Sequence, residues 1–132
     1  MRFIDSNIFV YHMESDPKFS RRANNILSRV EQEEQALTST LIISQVSSYL
    51  KWKKKARFIP VFLDFLQSLP NLSKIETTFL DFVETRKIQT SEEGIPWDDF
   101  VIVSQMKRSG INEIYSNDSD FDRIPDVTRF FE

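Results

Sequence analysis

Short apolar segments with strand character alternate with helical segments along the whole chain, and this alternation constrains the fold more than any other feature. The strand-like segments cover residues 2–5, 36–39, 72–76, 113–116 and 127–131. They are short and mostly apolar, which is typical of strands in a sheet that is covered on both faces. Strands that alternate with helices predict an α/β domain with a mainly parallel, buried central sheet.

The composition limits the class of protein. A chain of 132 residues fits a single domain, spanning 1–132, that is long enough to bury a core. It has no cysteine, which excludes disulfides, thiolate nucleophiles and cysteine zinc sites. With two glycines and no GxGxxG or GxxxxGK[ST] segment, it lacks a glycine-rich phosphate loop. Because the net charge is −3, nucleic-acid binding requires a local basic patch.

The N-terminal segment MRFIDSNIFVYHMESD contains acids at Asp5 and Glu14 and no long apolar run. It therefore has the pattern of neither a signal peptide nor a membrane span. We expect a cytoplasmic protein that makes no contact with a membrane.

Capping residues and prolines indicate where the helices begin and end. Ser6 is a candidate cap for a helix over 7–14, and Asp16 with Pro17 predicts the start of the next one. Pro96 suits the first turn of a later helix, and Gly110 suits its C-terminal end.

Aspartates occur where two of the predicted strands end. Asp5 ends the first strand, and Asp118 and Asp120 follow the strand at 113–116 by a few residues. In parallel sheets, ligands bind beyond the carboxyl ends of the strands. Two distant segments of the chain are therefore expected to bring acids to one edge of the sheet.

The helix that begins near Pro96 carries two acids in its first turn. Acids there favour the positive end of the helix dipole, and we interpret Asp98 in this way. Asp99 instead shares a helical face with apolar residues at i+3, i+4 and i+7, which are Ile102, Val103 and Met106. An acid on an apolar face is costly unless it is paired or bound to a metal.

Each acid taken singly has a structural interpretation. Asp5 suits a helix cap, and the stretch DSDFD at 118–122 suits a solvated turn or a weak calcium loop, although it lacks the glycine and the distal glutamate of an EF-hand. Together they favour a metal site, because carboxylates without histidine or cysteine suit Mg²⁺ or Mn²⁺. Such ions polarise phosphate oxygens and activate water, which points to phosphate chemistry.

Three segments of the chain resemble the signature blocks of PIN-domain ribonucleases. They are FIDSNIFVY, WDDFVIVSQMKRSGI and IYSNDSDFDRI, in this order. The group nearest in size is the VapC-type toxins of prokaryotic toxin–antitoxin pairs. The resemblance implies a Rossmann-like PIN fold, a three-layer sandwich of helices around the sheet. It also implies Mg²⁺- or Mn²⁺-dependent cleavage of RNA, a homodimer and a cognate antitoxin.

The resemblance further implies roles for single residues. The residues that match the catalytic acids and metal ligands are Asp5, Asp99, Asp118 and, as a supporting acid, Asp120. Asp99 matches because it precedes the glycine at the end of its helix by the family's usual interval. Ser116 and Asn7 match the hydroxyl and the asparagine that orient these acids.

One position departs from the family pattern. The family usually carries a glutamate on the helix after the second strand, and Gln45 stands at the matching position. No other acid lies between Glu34 and Asp64, so a shift of the alignment does not restore it. Glutamine keeps an oxygen but loses the charge, which predicts weak metal binding and tighter binding in Gln45→Glu. A non-catalytic PIN module that binds RNA or a protein partner is therefore the alternative function.

A second alternative is a phosphoryl-transfer enzyme of the haloacid-dehalogenase type, suggested by the DxD of Asp118 and Asp120. That family places its DxD after the first strand, where this chain has only Asp5 followed by Ser6 and Asn7.

The run KWKKKARF at 51–58 has two interpretations. Its basic residues Lys51, Lys53, Lys54, Lys55 and Arg57, interleaved with aromatic residues, suit contact with RNA phosphates and bases. They also suit a solvated helix end, where lysines favour the dipole. Four phenylalanines, Phe62, Phe65, Phe79 and Phe82, are predicted to lie in the core or in a dimer interface.

Overall fold

The computed structural model describes residues 1–88 and 93–132, and this part of the chain forms five strands and six helices. The strands are β1 (Arg2–Ile4), β2 (Ala36–Ser39), β3 (Leu72–Ile75), β4 (Glu113–Tyr115) and β5 (Thr128–Phe130). The helices are α1 (Ser6–Glu14), α2 (Ser20–Gln32), α3 (Thr40–Trp52), α4 (Phe58–Gln67), α5 (Phe79–Ile88) and α6 (Trp97–Arg108). A 3₁₀ helix follows β4 at Ser119–Arg123. All five predicted strands are confirmed to within a residue or two.

The strands form one sheet in the order β3-β2-β1-β4-β5, and every neighbouring pair is parallel. Right-handed crossovers then place α1 to α4 on one face and α5 and α6 on the other. The packing agrees with this, because α1 contacts α2 and α3, whereas α5 contacts α6. The predicted α/β architecture with a parallel central sheet is confirmed, with three layers.

The core lies on both faces of the two central strands. Phe3 and Ile4 of β1 and Ile114 and Tyr115 of β4 are fully buried. Helix α6 is buried at every position from Asp99 to Met106, so it sits under other elements instead of showing one face to solvent. Asp99 is therefore buried together with the apolar residues of this helix.

Two helices begin at residues that differ from the prediction. The cap of α1 is Asp5, because its Oδ1 accepts the backbone N–H of Ser6 at 2.7 Å, so the prediction of Ser6 as the cap is wrong. Helix α2 begins at Ser20, later than Asp16 and Pro17 suggest. Asp16 instead accepts two backbone N–H groups in a turn that precedes the helix.

The ends of α6 follow its flanking residues. Pro96 occupies the N-cap position with an extended backbone, one residue before the predicted first turn. Gly110 has a φ of 71°, and this left-handed conformation lets the chain leave the helix toward β4. Pro96 therefore fixes where α6 starts, and hence where its two acids stand, and Gly110 fixes where the chain leaves the helix.

The phenylalanines separate into two groups. Phe62 is fully buried in the core, and Phe65 is half-buried against His12. Phe79 at the start of α5 is 83% exposed, and Leu80 and Phe82 are exposed beside it. Of the two predicted locations, Phe62 lies in the core, whereas exposed Phe79 and Phe82 leave the dimer interface as the remaining interpretation. None of the described helices combines the length and the apolar character that crossing a membrane requires.

Candidate metal centre

The acids lie at the carboxyl edge of the sheet, between β1 and β4. These two strands are neighbours, and the connections run outward from them in opposite directions. In open α/β sheets such a reversal leaves a crevice between the strand ends, where ligands bind. Asp5 directly follows β1, and Ser116 to Asp118 directly follow β4.

Three carboxylates converge at this point. One carboxylate oxygen each from Asp99, Asp118 and Asp120 lies within 4.8 Å of the others. They come from the first turn of α6 and from the start of the 3₁₀ helix, so the fold joins two separate predicted blocks. Oxygen atoms at this spacing suit a shared hard cation such as Mg²⁺ or Mn²⁺.

Asp5 lies beside these carboxylates as a buried, hydrogen-bonded group. Its Oδ1 accepts from the Ser6 backbone, and its Oδ2 accepts from the Ser116 hydroxyl at 2.6 Å and the Asn7 amide at 3.2 Å. The pKa of Asp5 is raised, chiefly by burial and also by the charge of Asp118, while the hydrogen bonds from Ser116 and Ser6 oppose this shift. The donors fix the carboxylate in one orientation.

Ser116 connects the acids of the two strands. Its hydroxyl donates to Asp5 and accepts from the Asn7 amide at 3.2 Å and from the Asp118 backbone N–H at 2.9 Å. The Asn7 side-chain oxygen in turn accepts from the backbone of Asn117 at 3.1 Å. Ser116 and Asn7 therefore contact the groups that the resemblance says they orient.

Asp99 has the most unusual environment of the described acids. It is 8% exposed, and its Oδ2 is buried with no hydrogen-bond partner among the described residues. Burial raises the pKa of Asp99 to about 8, and the negative charges of Asp5 and Asp118 add to this effect. An unpaired buried carboxylate oxygen is costly, and a bound cation would offset that cost. The donor set and this oxygen both fit a divalent metal.

The three aspartates of DSDFD have different neighbours. Asp118 caps the 3₁₀ helix, since its Oδ1 accepts the Asp120 backbone N–H at 2.9 Å. A carboxylate oxygen of Asp120 also lies 3.7 Å from the Arg123 guanidinium. Asp122 forms a two-pronged ion pair with Arg129, at 2.9 and 3.1 Å. Arg129 lowers the pKa of Asp122. This ion pair is structural, and Asp122 is not part of the acidic cluster.

A family model for the PIN domain matches residues 2–127. The chain belongs to the PIN domain family. No curated protein sequence gives a significant match to this PIN domain.

Several solved structures have the same fold. VapC20 of Mycobacterium tuberculosis, a toxin that cleaves the sarcin-ricin loop, has a TM-score of 0.80 at 13% identity, with 95% of each chain covered. VapBC2 of Rickettsia felis, bound to promoter DNA, has a TM-score of 0.73 at 20% identity, with 98% of this chain and 96% of the other covered. FitAcB of Neisseria gonorrhoeae has a TM-score of 0.68 at 17% identity, with 98% and 96% covered. At these identities the likeness shows a shared fold.

Gln45 of the PIN domain contacts an acid that the sequence analysis assigned to the helix dipole alone. Its side-chain Nε2 donates to Asp98 Oδ2 at 2.9 Å, so it reaches the turn of α6 that also carries Asp99. Sequence reasoning missed this pair. The signal available was the coincidence of an extra acid beside Asp99 with a neutral residue at position 45.

The basic run lies away from the acids. Helix α3 leaves the carboxyl edge of the sheet after β2 and continues for 13 residues. At 1.5 Å per residue it is about 20 Å long, so its last turn lies far from the site. Trp52 is 75% exposed there, and Lys53 Nζ stands 5.4 Å from the centre of its ring. Lys55 is paired with Glu14 at 2.5 Å, which leaves it less free to bind phosphate.

Proposed function

We propose that this PIN domain is a divalent-metal-dependent endoribonuclease that hydrolyses RNA phosphodiesters. The observation that carries the proposal is the convergence of Asp99, Asp118 and Asp120 within 4.8 Å, around a buried carboxylate oxygen that has no protein partner. Crowded, uncompensated carboxylates destabilise a fold unless they bind a cation. Membership of the PIN family supports a nuclease over a calcium loop.

The contacts of each acid indicate its role in the proposed site. Asp99 and Asp118 would present oxygens to the ion, and Asp120, which is partly held by Arg123, would be the auxiliary ligand. Asp5 is held by its donors in a fixed orientation at the floor of the site. When bound, Mg²⁺ or Mn²⁺ supplies polarisation of the phosphate and activation of a water molecule.

We also propose that the protein acts in the cytoplasm as the toxin of a toxin–antitoxin pair. The support is its fold, which is similar to that of VapC20 and of VapBC2 and FitAcB. The exposed apolar residues Phe79, Leu80 and Phe82 on α5 suit a homodimer interface, because a large exposed apolar patch is uncommon on a monomer.

Metal dependence has a direct test. Crystals soaked in Mn²⁺ should show anomalous density between Asp99 and Asp118, and cleavage of a mixed RNA pool should stop when EDTA is added and return with Mg²⁺. Both results are expected because the ligands are hard oxygens and one of them, Asp99 Oδ2, is buried with no hydrogen-bond partner among the described residues. Density at another location would contradict the site. Metal binding without cleavage would favour the non-catalytic module.

The basic run makes a separate prediction, because an RNA longer than the site extends along the protein. Replacing Lys51, Lys53 and Lys54 with Ala should weaken RNA binding and reduce the slope of log affinity against log salt by about 2, since each lost phosphate contact removes about 0.7 on single strands. Lys55 is kept because it holds Glu14.

The matched control removes the same charge elsewhere, in the triple variant Lys18→Ala, Lys87→Ala and Lys107→Ala. Filter binding over a salt series measures both slopes. Equal slopes of log affinity against log salt in the two triple variants would indicate that the run at 51–58 is a solvated helix end.

A further inference from the structure

Asp98 is a half-buried acid whose partner is a neutral amide. Gln45 Nε2 donates to its Oδ2 at 2.9 Å, and no described cation lies within ion-pair distance of it. Three other half-buried acids are paired with cations, Glu14 with Lys55, Glu34 with Arg29 and Glu113 with Arg2, whereas half-buried Asp16 accepts two backbone N–H groups. The negative charge of Asp98 therefore stays uncompensated, next to Asp99 and its unpaired buried oxygen.

The position of the pair matters as much as its charge. Gln45 lies on α3, from one face of the sheet, and Asp98 lies in the first turn of α6, from the other face. The two helices are thus joined at the turn of α6 that also carries Asp99, a member of the cluster. A carboxylate at 98 occupies space that the side chain of residue 45 reaches.

We propose that Asp98 belongs to the metal site and supplies the negative charge that Gln45 lacks, with Gln45 as the positioning residue that orients its carboxylate. The proposal rests on the proposed function, because it needs a cation at the site. The amide uses one lone pair of Asp98 Oδ2, which leaves the rest of the carboxylate to act on the ion. The charge missing at position 45 is thereby present one hydrogen bond away.

This arrangement changes the expectation for Gln45→Glu. A carboxylate at 45 would stand against the carboxylate of Asp98 at hydrogen-bond distance, and like charges this close repel strongly in a partly buried site. Gln45→Glu alone therefore does not report a simple gain of a ligand. The informative change exchanges the two groups, so that an amide at 98 donates to a carboxylate at 45.

Calorimetric titration with Mn²⁺ alone tests the proposal on five proteins. They are the wild type, Asp98→Asn, the exchange variant Gln45→Glu/Asp98→Asn, Asp118→Asn, and Asp64→Asn. Asp98→Asn keeps the shape and an oxygen that accepts from Gln45, so it removes the charge and little else. Asp64 is exposed on α4 and is not part of the acidic cluster, so its variant controls for the change in net charge. Metal-free melting temperatures check that each protein folds.

We expect Asp98→Asn to bind Mn²⁺ about tenfold more weakly or worse, because one negative charge near a divalent ion is lost. The exchange variant should bind Mn²⁺ within about threefold of the wild type, because its negative charge has moved from position 98 to position 45. Asp64→Asn should match the wild type, because its lost charge lies outside the cluster. A merely structural link between α3 and α6 would change the melting temperature and leave the affinity unaltered.

Three results would overturn the proposal in different ways. Unchanged affinity in Asp98→Asn, with binding lost in Asp118→Asn, would make Asp98 a first-turn acid and leave the nuclease proposal intact. Weak binding in both Asp98→Asn and the exchange variant would keep Asp98 in the site and overturn the claim that its charge replaces the one missing at position 45. Absence of Mn²⁺ binding by the wild type would overturn the metal-dependent function itself, and this inference with it.

Discussion

Asp118→Asn should reduce RNA cleavage by at least about a hundredfold, because a metal ligand of this kind contributes several kcal/mol to the stabilisation of charge in the transition state. The Asp118 carboxylate lies within 4.8 Å of those of Asp99 and Asp120, so it is central to the cluster. Asparagine has the same shape and still accepts the Asp120 backbone N–H that caps the 3₁₀ helix. The fold is therefore expected to survive.

The measurement compares cleavage of a mixed RNA pool by the wild type, Asp118→Asn and the Asp64→Asn control at one Mg²⁺ concentration. Metal-free thermal unfolding should give Asp118→Asn a melting temperature equal to or above that of the wild type, since the variant relieves repulsion on Asp5 and Asp99. Equal cleavage by wild type and Asp118→Asn would place the activity at another site or in a contaminant.

The second large effect concerns stability against pH and follows from Asp99. Burial and the neighbouring carboxylates raise the pKa of Asp99 to about 8, from 3.8 for an ordinary aspartate. The folded protein then binds this proton more tightly than the unfolded chain does. The stabilisation is complete below about pH 4 and is lost as the pH rises to about 8. Over this range the metal-free protein should lose up to about 1.4 kcal/mol per pH unit.

Urea unfolding between pH 4 and pH 9 in EDTA measures the slope, and the same series with Mg²⁺ should be flatter, since the cation stabilises the charged carboxylates. The proton belongs to a group of interacting acids, so the transition describes the cluster as a whole. Asp99→Asn should remove most of the slope and be more stable than the wild type at pH 8 without metal. A flat wild-type profile, or an unchanged slope in Asp99→Asn, would contradict the buried environment assigned to Asp99.

Much of the fold was predictable because it depends on local patterns. Strand lengths and helical spacing depend on residues close in the chain. The succession of strands and helices along the chain therefore followed from the sequence. Their alternation also predicted parallel strands, because a parallel neighbour needs a crossover helix. Asp5 and Asp118 were predicted at this edge for the same reason, since residues that follow a strand lie at the edge of the sheet. Asp99 was predicted as a buried acid from the apolar positions on its helical face.

Other features depended on which groups meet in space. The sequence offered both Ser6 and Asp5 as caps of α1, and the structure has Asp5, whose other oxygen accepts from the Ser116 hydroxyl that follows a distant strand. Phe79 is exposed although it is apolar, because no element of the described chain covers the start of α5. Hydrophobicity does not reveal such gaps in the packing.

The sequence alone determined an α/β domain with acids at the ends of two strands and on one buried helical face, together with the missing acid at position 45. Only the tertiary structure decided that Gln45 meets Asp98. Their helices come from opposite faces of the sheet, and the hydrogen bond spans 53 positions in the chain. Side chains so far apart in sequence meet only through the packing of whole elements, which periodicity and capping signals do not describe.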